Sequence, residues 1–211
     1  PAQNPTLYLL SAPSGGGKSS LARALVDRCD DIVTSVSHTT RPLRAGETDG
    51  VDYFFVDRTV FEQMVEDKKL LEYARVFDHY YGTSRKTVEQ ALAQDRSVIL
   101  DIDWQGAQQI RHAFSDAVSA YILPPSVEVL TKRLAARGRE TPEEIASRLS
   151  EAASEMSHYD EYDHILININ FDAALGELEA LVCRGAAPQS GQGFNVGMLV
   201  DCAKNVRLKT S

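Results

Sequence analysis

The chain reads Ala12-Pro13-Ser14-Gly15-Gly16-Gly17-Lys18-Ser19-Ser20 between an apolar run, Leu7-Tyr8-Leu9-Leu10, and a segment whose apolar residues recur at helical spacing. A strand, a glycine-rich turn, Lys-Ser and a helix are the context that a phosphate-binding loop requires. Glycines let successive backbone N–H groups turn toward an anion, and the N-terminus of the following helix adds its dipole. In this interpretation Lys18 reaches the β- and γ-phosphates of a nucleoside triphosphate, and the Ser19 hydroxyl binds Mg²⁺.

The loop departs from the usual pattern, Gly-x-x-x-x-Gly-Lys-Ser/Thr, because Ala12 stands at the first glycine. The alternative is a flexible glycine-rich loop without chemical function, and the run of glycines alone would favour it. The Lys-Ser pair between a strand and a helix favours phosphate binding.

Short apolar runs alternate with helical segments along most of the chain. This alternation predicts an α/β fold with a mostly parallel, doubly wound sheet and right-handed crossovers. The predicted core strands cover residues 6–11, 32–37, 97–103, 120–123 and 165–167. Helices are predicted from the loop to Cys29, and over 106–114, 127–137, 142–156 and 172–180.

Residues 38–94 interrupt this alternation with a polar, basic segment and then with strands predicted over 51–56 and 70–76. We interpret them as an inserted subdomain of mostly antiparallel strands with short helices. A capping box begins at Thr59, and residues 80–84 predict a turn before a helix over 85–93. At the other end of the chain, residues 185–211 have no sustained period, and we expect a loosely ordered tail.

Composition limits the kind of partner. The net charge of −8 and the pI near 5.1 argue against a broad nucleic-acid surface, so an anionic substrate must be bound by a local cluster of Arg and Lys. Cys29, Cys183 and Cys202 lack metal-like spacing and favour a reducing compartment. Neither a signal peptide nor a membrane-spanning run is evident. We expect a cytoplasmic protein that binds neither nucleic acid nor membranes.

Three further features are candidates for chemistry. Asp101 and Asp103 end a predicted buried strand, where one could hold Mg²⁺ through water; the alternative is a solvated strand terminus. Glu72, in an alternating strand, could accept two N–H bonds from guanine, although alone it is more typical of an exposed strand residue. Arginines suited to phosphate contacts, each of which could equally be a solvated surface residue, are Arg41, Arg44, Arg133, Arg137, Arg139 and Arg148.

Together these motifs resemble the guanylate kinase family. The residues that carry the resemblance are the loop, Ser35-Val36-Ser37-His38-Thr39-Thr40-Arg41, Arg44-x-Gly46-Glu47, Gly50-x-x-Tyr53-x-Phe55, Tyr80-Tyr81-Gly82-Thr83-Ser84, Leu100-Asp101-Ile102-Asp103-Trp104-Gln105-Gly106, Pro124-Pro125-Ser126, Arg137-Gly138 and Met156-Ser157-His158-Tyr159. The last is typical of bacterial members.

The resemblance implies Mg²⁺-assisted phosphorylation of GMP to GDP by ATP. It implies a domain over 1–184, with a core at 6–37 and 95–184, a GMP-binding insert at 38–94 and a lid at about 134–155, followed by 185–211; an oligomer is possible. The implied GMP ligands are Ser37, Arg41, Arg44, Glu47, Tyr53, Glu72, Tyr81, Thr83 and Asp103. The implied ATP ligands are Ala12, Pro13, Ser14, Gly15, Gly16, Gly17, Lys18, Ser19, Ser20 and Asn168. Metal ligands would be Ser19 and Asp101, and catalytic residues Lys18, Arg41, Arg133, Arg137 and Arg148.

The chain also departs from the family pattern, since Asn168-Ile169-Asn170 stands where members usually have Asn-Asp-Asp. Two rival hypotheses remain at this point. One is a non-catalytic guanylate kinase-like module that binds partner proteins, which the retained Lys18 and lid arginines disfavour. The other is a kinase for a different nucleotide, which Glu72 and Asp103 disfavour.

Overall fold

The computed structural model describes residues 4–76, 78–136 and 142–206. The chain forms two compact units. The first contains the chain up to Leu9 together with Cys29–Val118, and the second contains Leu10–Arg28 and the chain from Ser119 onward. No helix in these described ranges is long and apolar enough to cross a membrane.

Strands and helices alternate along the chain as predicted. The strands are β1 Leu7–Ser11, β2 Ile32–Thr34, β3 His38–Thr39, β4 Phe54–Phe55, β5 Leu70–Val76, β6 His79–Ser84, β7 Ser97–Asp101, β8 Val118–Leu123 and β9 His164–Ile167. The helices are α1 Lys18–Val26, α2 Arg58–Glu66, α3 Arg85–Leu92, α4 Trp104–Ala113, α5 Val127–Ala135, α6 Pro142–Met156, α7 Phe171–Arg184 and α8 Val196–Val206.

The first unit contains strands of two sheets, and the boundary between the two units falls within β1, after Leu9. One sheet has the order β2–β7–β1 in this unit, with β2 and β7 parallel. The other has the order β4–β3–β6–β5, in which β6 is antiparallel to both neighbours and β4 is parallel to β3. The expectation of mostly antiparallel strands between residues 38 and 94 is therefore confirmed. The register of β5 and β6 places Glu72 opposite Thr83.

The second unit has the strand order β1–β8–β9, with β8 and β9 parallel. Its helices bury leucines completely, among them Leu21, Leu130 and Leu178. The helix predicted over 142–156 has those bounds, because Pro142 suits a first helical position and the apolar residues behind it are periodic. Its buried face includes Leu149 and Ala152.

The sequence prediction of a turn at residues 80–84 is wrong, because they belong to strand β6. Gly82 lies inside that strand, where a Cβ would come within 2.8 Å of the Leu70 side chain. The glycine therefore permits a close approach between neighbouring chain segments. Two predicted strands are also shorter: the one over 32–37 ends at Thr34, and the one over 51–56 is reduced to Phe54–Phe55.

Two predicted helix caps are also wrong. Helix α2 begins one residue before Thr59, with Asp57 at the N-cap position and no side-chain cap. The cap of α7 is Asn170 and not Asp172, because the Asn170 side chain accepts a hydrogen bond from the Ala173 N–H at 2.9 Å. Capping two residues earlier lengthens α7, which continues to Arg184.

The loosely ordered tail expected after residue 184 is contradicted up to residue 206. Helix α8 buries Val196, Leu199, Val200 and Ala203, a spacing that places all four on one helical face, and α8 packs against α6 and α5. The sequence analysis missed this helix because its apolar residues follow a segment rich in Gly, Ser and Gln and form too short a run to show a sustained period.

Candidate functional site

The phosphate loop leaves β1 and enters α1 through backbone that suits glycine. Gly15 and Gly17 have φ angles of +83° and +95°, in the left-handed region. Gly17 occupies the N-cap position of α1 without a side-chain cap, and the first helical turn holds Lys18 and no acidic residue. This end of α1 therefore carries positive charge and dipole, which favour a bound anion.

Asn168 packs against this loop. Its side-chain Nδ2 donates to the Gly16 carbonyl at 2.9 Å, and the residue is only 4% exposed. A Cβ at Gly17 would come within 2.6 Å of the same Nδ2. The amide of Asn168 thus fixes the loop backbone, a contact that the sequence did not reveal.

Arg133, on α5, lies next to Asn168. Its Nη2 donates to the Asn168 carbonyl at 2.9 Å. Its Nη1 is buried and has no hydrogen-bond partner among the described residues. Burial also lowers the pKa of the guanidinium. A buried cationic donor that lacks a partner is a natural contact for an anionic ligand.

Helix α6 carries two side chains relevant to the loop. Arg148, half-buried, was predicted as a ligand of the transferred phosphate. Glu155, which the sequence analysis did not select, accepts a hydrogen bond from the Ser14 N–H at 2.9 Å. The predicted catalytic Arg137 lies outside the described residues.

In the first unit, Arg41 and Glu47 form a bidentate ion pair. The Arg41 guanidinium donates to the two carboxylate oxygens of Glu47 at 3.0 and 2.7 Å, and Glu47 also accepts from the Arg44 N–H at 2.8 Å. The hydrogen bond from Arg41 holds the pKa of Glu47 below its usual value. One carboxylate therefore orders the segment that carries both arginines.

Aromatic rings surround Arg41. Its guanidinium lies 5.4 Å from the ring centre of Tyr53 and 5.6 Å from that of Phe55, and Tyr53 packs edge-on against Tyr81 at 5.8 Å. Burial, assisted by the Asp101 carboxylate, raises the pKa of Tyr53 to about 12. The phenol of Tyr53 is therefore a hydrogen-bond donor at neutral pH.

Glu72 is buried, contrary to what its strand position alone suggested. It is 4% exposed, and its Oε1 accepts from the Thr83 hydroxyl at 2.5 Å. A Cβ at Gly106 would lie 2.5 Å from the Glu72 Oε2, and the Gly106 N–H donates to Asp103 Oδ1 at 2.8 Å. The carboxylates of Glu72 and Asp103 thus lie beside Gly106, and a side chain at this position would force Glu72 to shift.

The first unit also contains the predicted residues Ser37, Asp101 and Arg44. Ser37 directly precedes β3, and its carbonyl accepts from the Phe54 N–H at 2.9 Å. Asp101 ends β7 and is half-buried. Arg44 is exposed.

Comparison with known proteins shows which protein family this chain belongs to. Residues 4–184 match the family model described as guanylate kinase. The chain belongs to the guanylate kinase family.

Named relatives of this guanylate kinase family member support the assignment. It is 56% identical over 182 residues to the guanylate kinase of Chromohalobacter salexigens, covering 86% of this chain and 85% of the relative. It is 49% identical over 194 residues to that of Methylococcus capsulatus, covering 92% and 95%. The crystal structure of guanylate kinase from Anaplasma phagocytophilum matches with a TM-score of 0.71 at 35% identity, covering 84% of each chain.

Proposed function

We propose that this guanylate kinase family member transfers the γ-phosphoryl group of ATP to GMP, giving ADP and GDP. The observation that supports GMP as the nucleotide that receives the phosphoryl group is the buried carboxylate of Glu72. The Thr83 hydroxyl donates to it, and the Asp103 carboxylate contacts Gly106, beside Glu72. An ionised carboxylate accepts hydrogen bonds and offers no donor.

The hydrogen-bonding groups of guanine match the buried Glu72 carboxylate. Guanine presents a ring N–H and an exocyclic amine side by side, so a carboxylate can accept from both. Adenine has an acceptor where guanine has the ring N–H, so the hydrogen bond that guanine donates there to Glu72 is not made, and a hydrogen bond to a charged group is worth about 1.5–3 kcal/mol. We infer that Glu72, Asp103, Thr83 and Ser37 recognise guanine.

The phosphate of GMP is assigned to Arg41, Arg44, Tyr53 and Tyr81. Arg41 is pre-oriented by Glu47 and by the rings of Tyr53 and Phe55. A guanidinium whose position is already fixed loses little entropy when it binds phosphate. Tyr53 adds a phenolic donor, since tyrosine is protonated at neutral pH and burial raises the pKa of Tyr53 further, to about 12.

ATP is assigned to the phosphate loop. Three groups favour the triphosphate: the start of α1, which has no side-chain cap, Lys18, and the Nη1 of Arg133, which has no partner in the described part of the chain. Magnesium favours hard oxygen ligands together with substrate phosphates, and the Ser19 hydroxyl and Asp101 carboxylate fit that donor set. When bound, the metal neutralises phosphate charge.

Phosphoryl transfer needs in-line positioning and neutralisation of charge on the equatorial oxygens, and little covalent assistance. Lys18, Arg133, Arg137 and Arg148 supply that positive charge in our proposal. Residues 134–155 act as a lid that excludes water, which would otherwise accept the phosphoryl group, and residues 38–94 act as the GMP-binding insert.

A panel of nucleoside monophosphates with Mg·ATP tests the proposal. ADP formation is measured with GMP, dGMP, AMP, CMP and UMP as acceptors, and we expect the guanine nucleotides to be preferred by at least two orders of magnitude. Preference for another base would overturn the guanine assignment. Nucleotide binding without turnover would favour the non-catalytic, partner-binding alternative.

A further inference from the structure

Glu155 connects the end of α6 to the phosphate loop across 141 residues of sequence. The Ser14 N–H donates to its Oε2 at 2.9 Å. Glu155 is the penultimate residue of α6 and is half-buried. It belongs to none of the loop, arginine or guanine-binding residues that the motifs identify.

The carboxylate stands where its own helix disfavours it. The C-terminus of a helix carries partial negative charge, so an acidic side chain in the last turn is repelled. The last turn of α6 contains no basic residue that would offset this. A charge-assisted hydrogen bond from the Ser14 N–H supplies an interaction that compensates for this repulsion.

The helix around Glu155 is anchored. Ala152, Ala153 and Met156 are at most 2% exposed, so this last turn packs in the interior of the second unit. The carboxylate is therefore presented from a fixed backbone and not from a fraying helix end. An acceptor held in this way restrains the loop.

Arg148 shares the helical face of Glu155. The two residues are seven positions apart, which corresponds to about two turns and about 10.5 Å along the axis. A helix that is tied to the loop at Glu155, where the lid segment ends, consequently limits the positions that Arg148 can take relative to the loop when the lid closes. Lys18 leaves that same loop at the start of α1.

We propose that Glu155 is a positioning residue for phosphoryl transfer, which holds the phosphate loop through Ser14 and keeps α6, with Arg148, in register with it. This inference rests on the proposed function. Misplacement of a reacting group by about 1 Å can cost about 100-fold in rate. Loss of Glu155 therefore lowers kcat, whereas the binding of GMP is unaffected.

The test uses Glu155→Ala and Glu155→Gln in the whole chain, with Asp201→Ala as the control. Asp201 is an exposed acid on α8 in the same unit and lies outside residues 134–155. Three quantities are measured for each variant: hydrogen exchange of the Ser14 amide by NMR, kcat, and KM for GMP. The glutamine variant retains a neutral oxygen acceptor.

In Glu155→Ala we expect exchange of the Ser14 amide to accelerate at least tenfold and kcat to fall about 10- to 100-fold, with KM for GMP within twofold of wild type. Glu155→Gln recovers part of both losses, and Asp201→Ala behaves as wild type. Unchanged Ser14 exchange in Glu155→Ala overturns the proposal, and so does faster exchange with wild-type kcat. If the alanine variant does not fold, Glu155→Gln decides, since wild-type exchange and wild-type kcat there show that the charge has no positioning role.

These outcomes are separable from failure of the proposed function. A wild-type chain without GMP turnover refutes the function, and the Ser14 exchange rates still report whether Glu155 restrains the loop. Full turnover in the wild type combined with unchanged exchange refutes only the role of Glu155.

Discussion

Glu72 and Glu47 show how the same side chain is used differently within one unit. Glu47 neutralises and orients a cation, since it accepts both donors of the Arg41 fork. Glu72 is paired with the neutral hydroxyl of Thr83. Glu47 is therefore assigned to support, and Glu72 to direct contact with the base.

The first prediction concerns Glu72→Gln. The amide keeps the size of the side chain but replaces one acceptor oxygen with a donor, which faces the donor groups of guanine. A hydrogen bond that involves a charged group is worth about 1.5–3 kcal/mol, so kcat/KM for GMP falls about 10- to 100-fold and the preference over AMP narrows. Steady-state kinetics with both nucleotides measure this. The control is Glu66→Gln, an exposed acid of the same unit, and an unchanged GMP-to-AMP ratio in Glu72→Gln contradicts the assignment.

The second prediction concerns the pH dependence of His38. Its ring stacks on Phe54 at 4.9 Å, and its Nδ1 is buried without a partner among the described residues. Burial lowers its pKa below 6.5, and the Asp49 carboxylate opposes this only in part. Below pH 6.5 the unfolded chain binds a proton that the folded chain resists, so the free energy of unfolding decreases as the pH falls from there.

Proton NMR of the imidazole signals measures the His38 midpoint, which we expect below 6.5. His38→Gln identifies the signal and removes this part of the pH dependence of unfolding. A midpoint at or above 6.5 would show that the ring is not desolvated as the structure indicates.

Sequence motifs selected the candidate chemical residues, whose roles stay predictions, but not the contacts that Glu155 and Asn168 make with the phosphate loop. Lys18, Glu72 and Arg41 belong to short patterns that imply a role. The contacts from Glu155 and Asn168 to the loop span 141 and 152 residues. No local pattern encodes a partner so distant, and the burial of Glu72 likewise depends on α4, whose Gly106 makes room for it.

At the scale of elements, the sequence predicted those helices whose bounds depend on neighbouring residues in the chain. Helix α6 has a proline start and periodic apolar residues, and its bounds were predicted correctly. Strand β6 was missed because tyrosines and a glycine indicate a turn, whereas antiparallel pairing with both β3 and β5 makes it a strand. Tertiary pairing of this kind overrides propensity.

The third prediction tests α8 as a structural element. Leu199 is 6% exposed and its neighbour Met198 is 64% exposed. Truncation of a buried leucine to alanine costs about 2–5 kcal/mol, whereas truncation of an exposed side chain changes stability by about 0.5 kcal/mol or less. Urea denaturation of Leu199→Ala and Met198→Ala therefore separates the two variants. Equal midpoints would mean that α8 does not pack on the second unit in solution.

At the scale of the whole molecule, the net charge of −8 opposes the approach of nucleotides. Binding therefore depends on local groups such as Lys18 and Arg41, and not on an overall positive field. Removal of a single local cation is therefore expected to weaken the binding of one nucleotide and to leave the binding of the other unchanged.

The fourth prediction uses global stability to distinguish the two nucleotide sites. A ligand at 100 times its Kd stabilises the native state by about 2.7 kcal/mol, which raises Tm by about 5–11 °C for a chain of this size. ADP and GMP should each produce such a shift in the wild type. Lys18→Ala should lose more than half of the ADP shift and keep the GMP shift, and Glu72→Gln should show the reverse, because each variant removes a contact to one nucleotide. Lys86→Ala, an exposed lysine on α3, is the control and should keep both shifts. If either site variant lost both shifts equally, the two nucleotides would not be bound by separate sets of residues.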